Sequence, residues 1–178
     1  DDAYFVPYSM GFDELRKPVP YYDHLGIRVP DVYDDKNGVS GIDRYRLVVA
    51  HIAAHRRWTS AIVADNFSPF QRLAIEHLED SRVEHLMMQE YPGLRKILLA
   101  LHPEPIEGDC DTRIESCIRH RLAMLSRAIL DKHHGYQNEQ VLDFVERFYD
   151  VVKRDGCSTK DMVDIAVLFI ARTRLQSD

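Results

Sequence analysis

The pattern of apolar residues in the segment from Ser68 to Tyr91 is not that of a surface helix. At about 100° per residue its apolar side chains fall on every side, and a helix of that kind is usually buried. Ser68 is a suitable N-cap, Pro69 suits the first helical position, and Gln71 completes a capping box. Pro92-Gly93 cannot continue the helix. The segment therefore predicts a buried helix of about six turns.

A stripe of carboxylates runs along this buried helix. Glu76, Asp80 and Glu84 are spaced i, i+4, i+8, so they lie on one face. Like charges at this spacing repel, and buried carboxylates need a partner. The sequence thus requires arginines, histidines, a metal ion or another protein to balance the stripe.

Two histidines lie on the preceding segment, which predicts a helix over residues 43 to 63. His51 and His55 share its most apolar face with Leu47, Val48, Ile52, Trp58 and Ile62. The connection that follows, residues 64 to 67, is short, so antiparallel packing is expected. This packing would turn both histidines towards the carboxylate stripe.

The remaining pattern predicts helices throughout. They run from Leu94 to Leu101, from Thr112 to about His133, from Asn138 to Gly156 and from Ser158 to Gln176. No segment shows the alternation of apolar and polar residues that is typical of a β-strand. Residues 1–40 are rich in proline and tyrosine and predict an extended arm packed on the domain. We therefore predict an all-α fold: a single helical domain of about six helices over residues 41–178, with this N-terminal arm.

Composition narrows the function classes. The net charge of −6 argues against nucleic-acid binding. The chain contains no run of about 18 apolar residues, so membrane insertion is not predicted. The three cysteines, Cys110, Cys117 and Cys157, lack CxxC spacing, which favours free thiols and a cytoplasmic location. The chain contains neither a GxxxxGK[ST] phosphate loop nor a GxGxxG fingerprint.

The histidine pair has the spacing of the zinc-protease HExxH helix, in which two imidazoles one turn apart reach one ion. Downstream, Glu76 and Asp80 have the ExxxD form that can supply a further ligand. Position 52 is Ile, where a protease needs its glutamate base, so no catalytic residues are predicted.

Two interpretations of these residues remain open. In the first, zinc or another divalent metal is bound by His51, His55, Glu76 and Asp80, with Glu84 as an alternative ligand. In the second, no cofactor is bound and the same side chains form a buried polar network, with the members His51, His55, Glu76, His77, Glu79, Asp80, Arg82 and Glu84.

A family resemblance rests on three stretches of the same region. They are DRYRLVVAHIAAHRRW, FSPFQRLAIEHLEDSRVEHLMMQEYPGLRKILLALHP and IRHRLAMLSRAIL. Together with the histidine pair and the YPGL that follows, the LEDSRVE block from Leu78 to Glu84 is the most specific part. These stretches resemble the NorD/CbbO family, and the resemblance covers about residues 25 to 150.

The resemblance implies a cytosolic accessory protein. Members of that family have a helical region followed by a C-terminal von Willebrand A domain. They work with a MoxR-class AAA+ ATPase to activate or assemble a metalloenzyme such as nitric oxide reductase or Rubisco. This chain ends at Asp178, before any such A domain, so we expect it to represent the helical region, an interaction or scaffold module that is not itself an enzyme. We also expect its last helix to leave an apolar side open for the ATPase, the A domain, the arm or a second copy.

Overall fold

The computed structural model describes residues 3–6, 20–23, 25–110 and 117–175. Within them lie six α-helices, α1 to α6, which span Gly41–Trp58, Pro69–Glu90, Arg95–Leu101, Cys117–Leu130, Glu139–Val152 and Thr159–Leu175. A 3-10 turn, Pro92–Leu94, leads from α2 into α3. The mostly helical architecture confirms the predicted all-α class. Among the described helices, none has both the length and the apolar character that crossing a bilayer would take.

Helix α2 is the centre of the fold, and it begins as the sequence predicts. The Ser68 hydroxyl accepts a hydrogen bond from the Gln71 N–H, and the Gln71 side chain accepts one from the Ser68 N–H. The helix packs against α1, α4 and α6. Its apolar side chains are therefore buried in several directions, which confirms the prediction of a buried helix.

Helices α4, α5 and α6 complete the main core around α2. Phe144 of α5 and Phe169 of α6 are fully buried and meet edge to face, with ring centroids 5.0 Å apart. Of the apolar side that α6 is expected to leave open, Leu168 and Ala171 are exposed within the described residues, whereas Phe169 and Ile170 are buried. Most of its apolar side chains turn inward, and its outward positions are Lys160, Asp164, Leu168, Ala171 and Arg172.

The described part of the N-terminal segment contains three short strands that the sequence analysis does not predict. Strands β1 (Ala3–Val6), β2 (Tyr21–Asp23) and β3 (Gly26–Pro30) form a sheet in the order β1-β3-β2. Strand β3 pairs in parallel with β1 and antiparallel with β2. Its side chains Ile27 and Val29 cluster with Ile52 of α1. The strands escape prediction because they are short and because β3 is buried at consecutive positions, which removes the alternating pattern.

Helix α1 is capped by Ser40, which accepts a hydrogen bond from the Asp43 N–H, and it ends earlier than predicted. It stops at Trp58, and Thr59 has an extended backbone. Ile62 therefore lies in the connection to α2 and is 39% exposed, not on the apolar face of α1.

The prediction of three free thiols is wrong for two of the cysteines. Cys110 and Cys117 form a disulfide across the connection between α3 and α4. Cys157 is a free thiol. The sequence criterion fails because it relies on CxxC spacing, whereas the fold returns the chain to within disulfide distance after seven residues. The predicted start of α4 at Thr112 lies outside the described residues.

Candidate metal centre

Helices α1 and α2 pack antiparallel, and the packing brings the histidine face onto the carboxylate stripe. Three pairs of contacting side chains run in opposite order along the two helices: His51 with Glu84, His55 with Asp80, and Thr59 with Glu79. The one-turn spacing of His51 and His55 on α1 matches that of Glu84 and Asp80 on α2, and Thr59 at the end of α1 reaches Glu79, the neighbour of Asp80. The structure therefore has the arrangement that the sequence predicts for these two helices.

Three ligand atoms converge where these helices face each other. The Nε2 atoms of His51 and His55 are 3.0 Å apart. Asp80 Oδ1 lies 3.1 Å from His55 Nε2 and 3.9 Å from His51 Nε2. Within the described residues these are the side chains whose geometry can hold a metal ion, with all three atoms within 4.8 Å of one another. We call His51, His55 and Asp80 the central cluster.

The hydrogen bonds behind His55 decide which of its nitrogens carries the proton. Thr59 has one hydroxyl proton and donates it to Glu79 Oε1 at 2.6 Å. The 2.9 Å contact between His55 Nδ1 and Thr59 Oγ1 therefore requires the Nδ1–H to donate. In a neutral His55 the Nε2 lone pair then points at the other two cluster atoms. Acceptors this close repel one another unless a proton or a metal ion lies between them.

The Glu79 carboxylate that accepts from Thr59 is held by a buried ion pair. Arg82 donates to both of its oxygens at 2.6 and 2.9 Å, and Thr159 of α6 donates at 3.0 Å. Burial by itself would raise the pKa of Glu79, but the hydrogen bonds from Arg82, Thr59 and Thr159 outweigh it and lower the pKa. Glu79 therefore stays ionised and remains an acceptor for Thr59.

Glu84 contacts His51 on the side of the ring that faces away from the central cluster. Its Oε1 lies 3.5 Å from His51 Nδ1, the nitrogen that faces away from the cluster. Burial raises the pKa of Glu84 to about 8, and the negative charge of Asp80 adds to the shift. Burial also lowers the pKa of His51, against the opposing influence of Asp80. Without a cation in the cluster, both side chains are therefore held mainly in their neutral forms at neutral pH.

His77, a predicted member of the network, is partly buried, and burial lowers its pKa. The other predicted site residues divide into three groups. His51, His55 and Asp80 form the central cluster, and Glu84 contacts His51 from behind, as described above. Glu79 and Arg82 form the buried ion pair, so they belong to the network but not to the ligand set. Glu76 is exposed and lies outside the cluster. The four-ligand prediction is thus wrong in its Glu76 member, because that side chain lies one turn beyond the end of the histidine pair.

Other polar residues of the site were not singled out from the sequence. Thr59 and Thr159 are 100 positions apart and both donate to Glu79. A second buried chain links Ser81 to Ser126 at 2.8 Å and Ser126 to His102 Nε2 at 3.0 Å. The serines are buried, so a substrate cannot reach this serine–histidine pair. Single serines and threonines far apart in a sequence give no signal of such contacts.

No protein-family model, curated protein or solved structure matches the chain. The likeness to the NorD/CbbO family therefore remains an inference from the sequence stretches themselves.

The first prediction concerns the buried ion pair. Replacing Arg82 with Met should lower the free energy of unfolding by about 3–5 kcal/mol, because Glu79 would keep a buried, uncompensated charge. Urea unfolding followed by circular dichroism measures the change. The matched control is Arg57→Met, which removes the exposed Arg57–Glu90 pair and should leave stability nearly unchanged. Equal losses in the two variants would contradict this account.

The second prediction concerns the pH dependence of the metal-free protein. The unfolded chain releases the Glu84 proton near pH 4.5, whereas the folded chain keeps it up to about pH 8. The contribution of Glu84 to stability is therefore fully present below this window and is lost as pH rises through it, by on the order of a few kcal/mol. Glu84→Gln should remove that loss.

The measurement is urea unfolding in the presence of a chelator at several pH values across the window. The difference in stability between the wild type and Glu84→Gln should shift in favour of the variant as pH rises. Glu76→Gln, exposed on the same helix, is the control and should follow the wild type. Parallel curves for the wild type and Glu84→Gln would show that Glu84 does not titrate in this way.

Proposed function

We propose that the chain is a metal-binding helical module of an accessory protein of the NorD/CbbO type. In this role it works with a MoxR-class AAA+ ATPase in the activation or assembly of a target metalloenzyme. The observation that carries the proposal is the convergence of His51, His55 and Asp80 at the contact between α1 and α2.

The accessory role is supported by where the most specific stretch of the resemblance lies. The LEDSRVE block falls in the middle of α2 and supplies Asp80 to the cluster and Glu84 to its rear. It also supplies both members of the buried ion pair, Glu79 and Arg82. The residues that suggest the family are thus those that build the centre of this fold.

The metal-binding role is supported by the chemistry of the cluster. Two imidazole nitrogens and one carboxylate oxygen are a ligand set typical of zinc and related divalent ions. Thr59 orients His55 from behind, and Glu84 lies against the rear nitrogen of His51. Such outer contacts orient metal-binding histidines in many proteins. A bound ion would take the place of the proton that now lies between the close-set atoms of the cluster.

We do not expect this centre to hydrolyse peptides. Ile52, at the position of the glutamate base in HExxH, is buried against β3 and cannot take a proton from water. The chain also lacks a phosphate loop, so ATP hydrolysis is assigned to the partner.

The third prediction is that the chelator-treated protein binds one Zn²⁺ per chain, measured by isothermal titration calorimetry and elemental analysis. His55→Ala and Asp80→Asn should abolish this binding because each removes a ligand. Glu84→Gln should weaken it by about 10-fold, since outer contacts of ligands have effects of that size.

Two variants serve as controls for the titration. Glu76→Ala and the exposed His133→Ala should bind Zn²⁺ like the wild type. Melting curves establish that each variant is folded. Absence of binding by the wild type, or unchanged binding by folded His55→Ala and Asp80→Asn, would refute the metal centre.

The fourth prediction concerns the ATPase. Purified chain should bind a MoxR-class AAA+ ATPase from the same organism in sedimentation velocity experiments. Ile62 and Val63 are adjacent exposed apolar side chains in the α1–α2 connection, the kind of surface that protein partners cover. Val63→Asp should weaken the complex, whereas Ile106→Asp, in another exposed connection, should not. Absence of any complex with the wild type would contradict the accessory role and leave the metal centre unaffected.

A further inference from the structure

A cavity of about 350 Å³ opens beside the central cluster. His55 and Asp80 form part of its wall, so the cavity and the cluster share two side chains. Ile62, Phe67 and Ile75 supply an apolar wall between the α1–α2 connection and α2. A volume of this size lies at the small end of ligand sites, and an apolar lining with a few polar groups is typical of them.

The metal centre proposed above leaves room for a ligand from outside the chain. Three protein ligands leave at least one position of a tetrahedral zinc ion open. Asp80 is half exposed, and it borders the cavity. A molecule in the cavity would therefore lie beside His55 and Asp80, the two residues that would hold the ion on this side.

The charged side chains in the cavity wall determine whether a charged ligand is attracted. Glu79 is neutralised by Arg82, so the remaining carboxylates in the wall are Glu76 and Asp80. Arg72, whose Nε donates to the Phe67 carbonyl, offsets one of them. A bound divalent ion then makes the wall positive overall, whereas without the ion it is negative. An anionic group is thus attracted only when the metal is present.

We propose that the metal-loaded protein binds a small apolar carboxylate, whose carboxylate group coordinates the ion and whose apolar part fills the cavity. The inference rests on the proposed metal centre and adds its ligand class. The same chemistry is found in a free organic acid and in the C-terminal residue of a peptide.

The test uses the Co²⁺-loaded protein, because the visible spectrum of Co²⁺ reports its coordination. Addition of 3-phenylpropionate should change the spectrum, and it should bind about ten-fold or more tightly than acetate because its ring is buried. The neutral 3-phenylpropionamide should leave the spectrum unchanged. N-acetyl-Ala-Phe and its C-terminal amide form the second pair of probes, and binding of the peptide acid would identify a peptide C-terminus as an accepted source.

A cavity-filling variant separates this site from general metal chemistry. Ala61 is an exposed residue of the cavity wall, so Ala61→Trp should remove the advantage of 3-phenylpropionate over acetate and keep Co²⁺ bound. Ile106→Trp, in the connection after α3, is the control and should behave like the wild type.

The outcomes distinguish the inference from the function on which it rests. If Co²⁺ does not bind, the metal centre itself is refuted and the ligand site with it. If Co²⁺ binds but saturating 3-phenylpropionate leaves its spectrum unchanged, the ligand site alone is refuted. Equal affinities for 3-phenylpropionate and acetate, or an unchanged preference in folded Ala61→Trp, would also overturn the cavity assignment.

Discussion

The buried ion pair between Glu79 and Arg82 is the interaction on which the arrangement of the helices depends. Both side chains are almost completely buried, and such a pair is tolerated only when its remaining hydrogen-bonding capacity is satisfied. Hydrogen bonds from Thr59 and Thr159 to Glu79 and from Arg82 to the Trp58 carbonyl meet this requirement. These contacts attach the end of α1 and the start of α6 to the middle of α2.

The candidate metal centre is a consequence of the same network. Because Glu79 is ionised, Thr59 must donate to it, and because Thr59 donates to it, His55 must donate through Nδ1. The other nitrogen of His55 is then left to face His51 and Asp80. The Glu79–Arg82 ion pair and the central cluster are therefore linked through Thr59, whose hydroxyl proton goes to Glu79 and whose oxygen accepts the proton of His55 Nδ1. Changes to the ion pair would alter the cluster even though Arg82 does not contact it.

This linkage gives a physical reason for a protein to keep charged groups in its interior. An apolar substitute for the ion pair could stabilise the helices equally well, since buried ion pairs add little net stability. It would not, however, fix the tautomer of a histidine. The free-energy cost of burying Glu79 and Arg82 thus has a physical purpose, because the pair fixes the tautomer of His55. This purpose agrees with the metal-binding module that we propose.

The sequence by itself determined the helical class, the capped start of α2 and the facing of the histidine pair on the carboxylate stripe. These features follow from local periodicity, capping residues and a short connection, all of which act over one or two helices. Helical spacing and the zinc-protease pattern also placed His51, His55 and Asp80 in one predicted site, together with Glu76, which the structure sets apart.

Only the tertiary structure decided the remaining features. The exclusion of Glu76, the early end of α1 at Trp58, the burial of the α6 face and the Cys110–Cys117 disulfide all depend on how segments meet in space. The partnership of Thr59 and Thr159 with Glu79 has the same origin, since their positions are 100 residues apart. The local pattern of a sequence specifies which face of a helix is apolar, but the choice of partner for each buried polar group is made by contacts between distant residues.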